Sequence, residues 1–284
     1  MVFNCLVNGI VLGLTYGLIA IGLTLLLSVL RVFNFAHGEL YMLGAVATYY
    51  INVTLGINYI VSIILSILIV GIIGIVIERI LFRKVRGQLI ASLVISLGLS
   101  LFIAGGTMII FGEKSKGVPT VAEGSFEFLN QTVSMERITV AAASIILILG
   151  LHLFLKRTKL GIQMRATAQN SEAAALMGVN IDQVSSVGFA IAAALAAAAG
   201  ALIAPLFFVS TSLGGPAIER AIVVIVLGGM GSIPGAILGG LLLGLINSFA
   251  ASYLGGVSEM ISFVFVIIIL LLRPQGLVGV KGVD

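Results

Sequence analysis

The stretch Arg31-Val32-Phe33-Asn34-Phe35-Ala36-His37-Gly38-Glu39 interrupts a sequence that is otherwise uncharged from residue 1 to residue 77. Residues 1–30 and 40–77 hold no lysine, arginine, histidine, aspartate or glutamate. Charged groups so close to hydrocarbon are costly unless they face protein, water or lipid headgroups. The stretch therefore reads as a functional break between membrane spans, part of a path through them. The fold class that follows is all-α, a polytopic transmembrane helical bundle.

Composition leads to the same class. Of 284 residues, 60% are hydrophobic and 9% charged, a balance that excludes a soluble domain. Uncharged runs near the roughly 20 residues needed to cross a bilayer recur along the chain. The 35 glycines fall largely within these runs, as expected where helices pack backbone to backbone, and the ten-residue alternation of a membrane β-barrel is absent. A single cysteine, Cys5, excludes an intrachain disulfide, and His37 and His152 are too far apart for metal-ligand spacing. No metal or bound cofactor is expected. The net charge of +4 lies in loops flanking the apolar runs, which suits a lipid bilayer rather than nucleic acid as partner.

Candidate spans are 5–30, 37–54, 59–77, 89–112, 138–155, 185–206, 216–229, 236–254 and 259–272, predicting eight or nine crossings in one domain, 1–284. No lysine or arginine precedes Arg31, so the first run reads as a retained span rather than a signal peptide. Basic clusters at Arg79, Arg83, Lys84 and Arg86, and at Lys156, Arg157, Lys159 and Arg165, are cytoplasmic by the positive-inside rule. Counting spans then places the N-terminus outside and Arg31, Arg273 and Lys281 inside. The loop 113–137 faces out, with Lys114, Lys116 and Arg137 diluted by Glu113, Glu123, Glu127 and Glu136.

Gly214-Gly215-Pro216-Ala217-Ile218-Glu219 reads as a helix start, with Pro216 at the first helical position and Glu219 against the positive end of the dipole. Gly9, Gly13 and Gly17 line one helix face; Gly231, Gly235, Gly239, Gly240 and Gly244 line others, and Ala192–Ala201 makes a third smooth surface. The word Gly228-Gly229-Met230-Gly231-Ser232-Ile233-Pro234 is a candidate pore or moving interface, since irregular backbone in a membrane needs water or protein to satisfy it.

Residues 156–184 form the longest inward loop. Asn170 or Ser171 caps a short helix from Glu172 through Ala173, Ala174, Ala175, Leu176 and Met177, and Gly178-Val179-Asn180 is its exit turn. Two turns of helix are marginal alone in water, so Ala175, Leu176 and Met177 are expected to rest on another surface, either the bundle itself or a partner.

Glu172-Ala173-Ala174 followed by Gly178 resembles the coupling loop of ABC importer permeases, in which a short cytoplasmic helix docks into a groove on the ATPase. Together with Asn34-Phe35-Ala36-His37-Gly38-Glu39, Thr158-Lys159-Leu160-Gly161, Arg165-Ala166, Asn170, the Gly228–Ala236 word and Arg273-Pro274-Gln275-Gly276-Leu277, it is similar to the H-type subunit of the branched-chain amino acid permease family. The Ile-x-Leu-Pro ending of the fullest coupling loop is replaced here by Ile181-Asp182-Gln183-Val184. The resemblance implies an inner-membrane importer of Leu, Ile or Val. It also implies a second related permease, two cytoplasmic ABC ATPases carrying ATP and Mg, and a soluble binding protein outside. Its coupling residues would be Asn170, Glu172, Ala173, Ala174, Leu176 and Gly178. No Gly-Lys dipeptide occurs, so this chain has no phosphate-cradling P-loop and is expected to be a transport subunit rather than an enzyme.

Two readings of the opening stretch stay open. In one, Gly38 permits a turn, Asn34 caps the next helix and Glu39 sits in its first turn. In the other, Asn34, Phe35, His37, Gly38 and Glu39, with Gly228, Gly229 and Gly231, belong to a pore or gate. Permeases with a similar Asn-x-Ala-His-Gly-Glu word carry urea or short amides, which is the alternative substrate class. A stand-alone secondary transporter is the alternative mechanism, although two related halves and an intramembrane charge pair for ion coupling are not evident.

Overall fold

The computed structural model describes residues 2–119, 124–128 and 131–278; Glu123 and Lys281 lie outside them. The elements are α1 (Val2–Leu25), α2 (His37–Tyr49), α3 (Tyr59–Ile80), α4 (Leu89–Phe111), β1 (Ser125–Phe128), β2 (Gln131–Ser134), α5 (Met135–Arg157), α6 (Lys159–Gln169), α7 (Ser171–Leu176), α8 (Ile181–Ile203), α9 (Gly214–Gly228), α10 (Ile233–Leu254) and α11 (Ser258–Leu272). Turns of π-helix, Leu26–Leu30 and Tyr50–Thr54, extend α1 and α2. The helical bundle is as expected; the antiparallel hairpin β1–β2 is an unanticipated addition in the loop after α4.

Six segments are long and apolar enough to cross a membrane, fewer than the eight or nine expected. The difference has three sources. Helix α2 with its π-turn carries His37, Glu39 and Asn52 and is not apolar enough, α9 with 15 residues is too short, and α10 and α11 are continuous enough in sequence to register as one 40-residue segment. They are nevertheless two rods. Ser262 Oγ donates to Asn247 Oδ1 at 2.9 Å, whereas fifteen residues of straight helix would part them by about 22 Å. Helix α11 therefore folds back along α10.

The core is built on backbone proximity rather than on large side chains. A Cβ on Gly9 would lie 2.8 Å from Leu245 Cα and one on Gly13 2.7 Å from Leu241 Cα, so the predicted smooth faces of α1 and α10 meet antiparallel. Gly235 and Gly239 turn instead toward α9, and Gly231 precedes α10 rather than joining its glycine series. The alanine-rich face of α8 receives Gly22, Gly44 and Gly74 from α1, α2 and α3. Two buried hydroxyls tie helices together through backbone carbonyls: Ser66 Oγ donates to that of Gly44 at 2.8 Å, and Tyr59 OH to that of Ala201 at 2.8 Å.

Helix α9 starts at Gly214, two residues before Pro216, and Glu219 lies beyond its first turn. Proline is still tolerated there because the first four N–H groups of a helix have no intrahelical acceptor. The predicted placement of Glu219 against the helix dipole is thus overturned; the carboxyl group at this helix end comes from elsewhere in the chain.

Candidate functional site: a plug between two cavities and an exposed helix

Arg31, with φ +52°, is the non-glycine residue among the described ones that adopts a left-handed conformation, and it turns the chain back on α1. The turn thus falls at Arg31, not at Gly38 as expected. Six residues later His37 Nε2 lies 3.1 Å from the Ile19 carbonyl, eleven residues up α1 from Leu30, or about 17 Å along the helix. His37 and Glu39 therefore lie inside the bundle and not at its margin. Asn34 is fully buried, and its Oδ1 accepts from Ala36 N at 3.1 Å, closing a local turn; the cap position of α2 is Ala36, so the predicted Asn34 cap is not formed. Phe35 packs partly buried on the core and stacks obliquely on Phe33 at 5.1 Å.

The structure does not bring His37 and Glu39 together. His37 fills the space that Gly22 leaves open on α1. Glu39 stands in the first turn of α2, as expected, but its carboxylate reaches across to Gly214 at the start of α9 and accepts from Ser100 Oγ of α4 at 3.2 Å. Its carboxyl group thus lies at the end of α9 where the helix dipole is positive. Gly38 stays helical and lets the Gly214 carbonyl approach to a distance a side chain would forbid.

These residues lie between two cavities. One, about 620 Å³, is lined by Tyr16, Tyr41, Leu213 and Arg220 at the end where α1 and α5 begin and α8 ends. The other, about 720 Å³, lies among Leu25, Val29, Arg165, Gln169, Val226 and Ser232. Along α1 the first cavity stops at Tyr16 and the second begins at Leu25, while Leu18, Ile19, Ala20, Ile21, Leu23 and Thr24 are completely or almost completely buried. The region where His37 sits is a closed stretch between the two cavities.

The glycine word ends α9. Gly229 and Gly231 take φ of +102° and +83°, and Ser232 Oγ caps α10 by accepting from Gly235 N at 3.1 Å. The carbonyls of Leu227 and Gly228 accept from Leu277 N at 2.8 Å and Val278 N at 3.0 Å. The irregular backbone that called for water or protein is thus satisfied by protein, through the segment after α11.

The loop 156–184 is more structured than expected. Thr158 caps an additional helix, α6, by accepting from Gly161 N at 3.0 Å. Asn170 then caps α7, its Oδ1 accepting from Glu172 N and Ala173 N, both at 3.0 Å. Ala174 is buried, whereas Leu176 and Met177 are 89% and 85% exposed, and Gly178 leaves the helix with φ +85° and open space around it. Two large apolar side chains at the tip of a capped helix rest on nothing among the described residues.

Residues the sequence reading passed over complete the picture. Glu78, only 1% exposed, is held by Arg83 at 3.2 Å, Arg86 at 2.9 Å and Ser186 at 2.6 Å. The same two arginines grip Asp182 in the first turn of α8 at 3.5 and 2.8 Å. Its hydrogen bond to Glu78 raises the pKa of Arg83 above the ordinary guanidinium value, keeping it charged. On the opposite side, Arg220 Nη2 pairs with Glu259 Oε1 at 2.6 Å. Lone charges inside otherwise apolar elements were the available signal for Glu78, Arg220 and Glu259, whereas Arg83 and Arg86 belong to the basic cluster already noted.

Taken together, the rods, the two cavities and the folded α6–α7 projection define a multi-pass membrane protein of the permease class. The chain matches, over residues 5–272, the family model described as a branched-chain amino acid transport system permease component. It is 35% identical to the high-affinity branched-chain amino acid transport system permease protein BraD of Pseudomonas aeruginosa, covering 98% of this chain and 96% of that one. It is 32% identical to LivH of Escherichia coli, named likewise, covering 98% and 95%. This chain belongs to the branched-chain amino acid transport system permease family. A solved complex described as PsaBC from Streptococcus pneumoniae with a Fab shares the fold, at 15% identity and a TM-score of 0.52 over 96% of this chain and 91% of that one.

Proposed function

We propose that this chain is a permease subunit of an ATP-driven ABC importer in a bacterial inner membrane, translocating branched-chain amino acids delivered by a soluble binding protein. The relatives' names supply the substrate class. A second related permease completes the membrane unit, and two cytoplasmic ABC ATPases bind ATP and Mg. The N-terminus lies outside and the coupling helices inside, so the first cavity opens outward and the second inward.

The observation that carries this reading is the bare apolar tip of α7. A two-turn helix exposing Leu176 and Met177 gains stability only against another surface. Motion of α7 passes to α8, whose Asp182 is tied through Arg83 and Arg86 to Glu78 at the end of α3. The ATPase stroke would thereby reach the helices that hold the closed stretch.

The test is copurification with the ATPases of the same transport system. Leu176→Ser combined with Met177→Ser is expected to lower recovered ATPase at least roughly tenfold, two buried apolar side chains being worth about 3 kcal/mol or more, with the permease still monodisperse. Undiminished ATPase recovery and leucine uptake would remove α7 as the docking element.

A further inference from the structure

The cavity of about 620 Å³ has a composition that its place in the path does not by itself require. Its volume lies within the range of small-ligand sites, roughly 300–1,000 Å³. One wall is apolar, from Val11, Leu12, Ile203 and Leu206. The other carries Arg220 of α9 and Glu259 at the start of α11, paired at 2.6 Å, with Arg137 of α5 also on the lining. The Arg220 guanidinium is also placed 5.5 Å from the centre of the Tyr16 ring. Asn247 Nδ2 donates to Tyr16 OH at 3.3 Å, and Ser262 fixes Asn247 from α11, so the ring that backs the arginine is itself held. The Asn8 Oδ1 atom on the α1 side of the cavity is buried and has no hydrogen-bond partner among the described residues.

A zwitterion with an aliphatic side chain matches these groups one by one. A carboxylate needs a planar two-pronged donor, which Arg220 supplies; an ammonium needs a carboxylate acceptor, which Glu259 supplies. The unliganded pair neutralises itself, and a zwitterion inserted between the two groups replaces one ion pair by two without leaving either charge unpaired. Asn8 Oδ1 adds an acceptor for the ammonium, and the apolar wall takes the side chain.

We infer that this cavity is a transit site for a zwitterionic aliphatic amino acid, with Arg220 binding its carboxylate and Glu259 its ammonium. The inference rests on the importer reading above and names the place within that path where substrate is held.

The test is equilibrium binding of radiolabelled leucine to the complete, nucleotide-free transporter in detergent without its binding protein, alongside leucine uptake by the full system in proteoliposomes. The competitors are 4-methylpentanoate, which lacks the ammonium, and leucinamide, which lacks the carboxylate. Saturable leucine binding is expected, weakened roughly tenfold by Arg220→Gln and by Glu259→Gln. The carboxylate-only competitor should lose its effect in Arg220→Gln and keep it in Glu259→Gln, with the reverse for leucinamide. Arg220→Lys, which keeps the charge and its partner but not the fork, should assemble normally and still weaken binding. Uptake without any saturable binding in the wild-type complex, or variants that assemble and bind both competitors as wild type does, would overturn the transit site and leave the importer standing. Absence of uptake of leucine, isoleucine and valine would instead overturn the importer reading itself.

Discussion

His37 and Glu39 are two residues apart in sequence and do different things in the structure. His37 fills the hollow at Gly22 in the buried stretch between the cavities, while Glu39 reaches the start of α9 across the bundle. Glu39→Gln preserves an acceptor for Ser100 and loses only charge, so it is expected to lower unfolding stability by about 1 kcal/mol and leave uptake per ATP hydrolysed at the wild-type value. His37→Ala removes that filling side chain, and uptake per ATP is expected to fall several-fold at normal subunit assembly. Measuring both ratios in proteoliposomes separates the roles. A fall in Glu39→Gln of the same size would make the carboxylate part of the gate.

Helices in this fold meet through missing side chains, and the contact of α1 with α10 is the most demanding case. Apolar burial does not favour helix association in lipid as it does in water, so close packing has to supply the attraction. A side chain at position 13 would meet the backbone of residues 240 and 241, which cannot yield as a rotamer can. Gly13→Leu is therefore expected to destabilise the bundle by more than about 3 kcal/mol, the upper end of ordinary overpacking, and to abolish recovery of folded permease. Gly178→Val is the contrast, since its surroundings are open and only its φ of +85° resists. It should leave the melting temperature of the bundle within a few degrees and reduce ATPase copurification. Equal losses of folded protein in both variants would contradict this assignment of space-limited and conformation-limited glycines.

At the scale of the molecule the two ends are chemically distinct. One gathers Arg31, the Glu78–Arg83–Arg86–Asp182 cluster, α6, α7 and the Gly229–Ser232 turn; the other holds the start of α1, the pairing of Lys116 with Val209 and the turn before α11. The proposed orientation puts the first end in the cytoplasm. In a Cys5→Ala background, an impermeant maleimide added outside intact cells should label Gly256→Cys and spare Met177→Cys. Both positions are exposed, and Gly256 has open space around it. The opposite pattern would invert the topology and with it the assignment of the cavities.

Helix existence, their approximate limits, the smooth faces and the capped α7 were legible in the sequence because each follows from local rules: apolar length, glycine and alanine spacing, and an Asn before Glu-Ala-Ala. Such rules act within one helix. They misplaced the turn at Gly38 and the cap at Asn34, and they assigned Glu219 to the start of α9, because the groups that decide those positions are brought together across the bundle. Glu39 reaches Gly214 over 175 positions of chain, and Arg220 meets Glu259 from a different helix. The two cavities and the closed stretch between them belong to the same class. Local chemistry determined by itself that the chain is a bundle of apolar helices with a short capped helix projecting from it. Only the tertiary structure decided which buried charges answer one another, since a charge in a low-dielectric interior is set by whichever partner packing delivers to it, however distant in sequence.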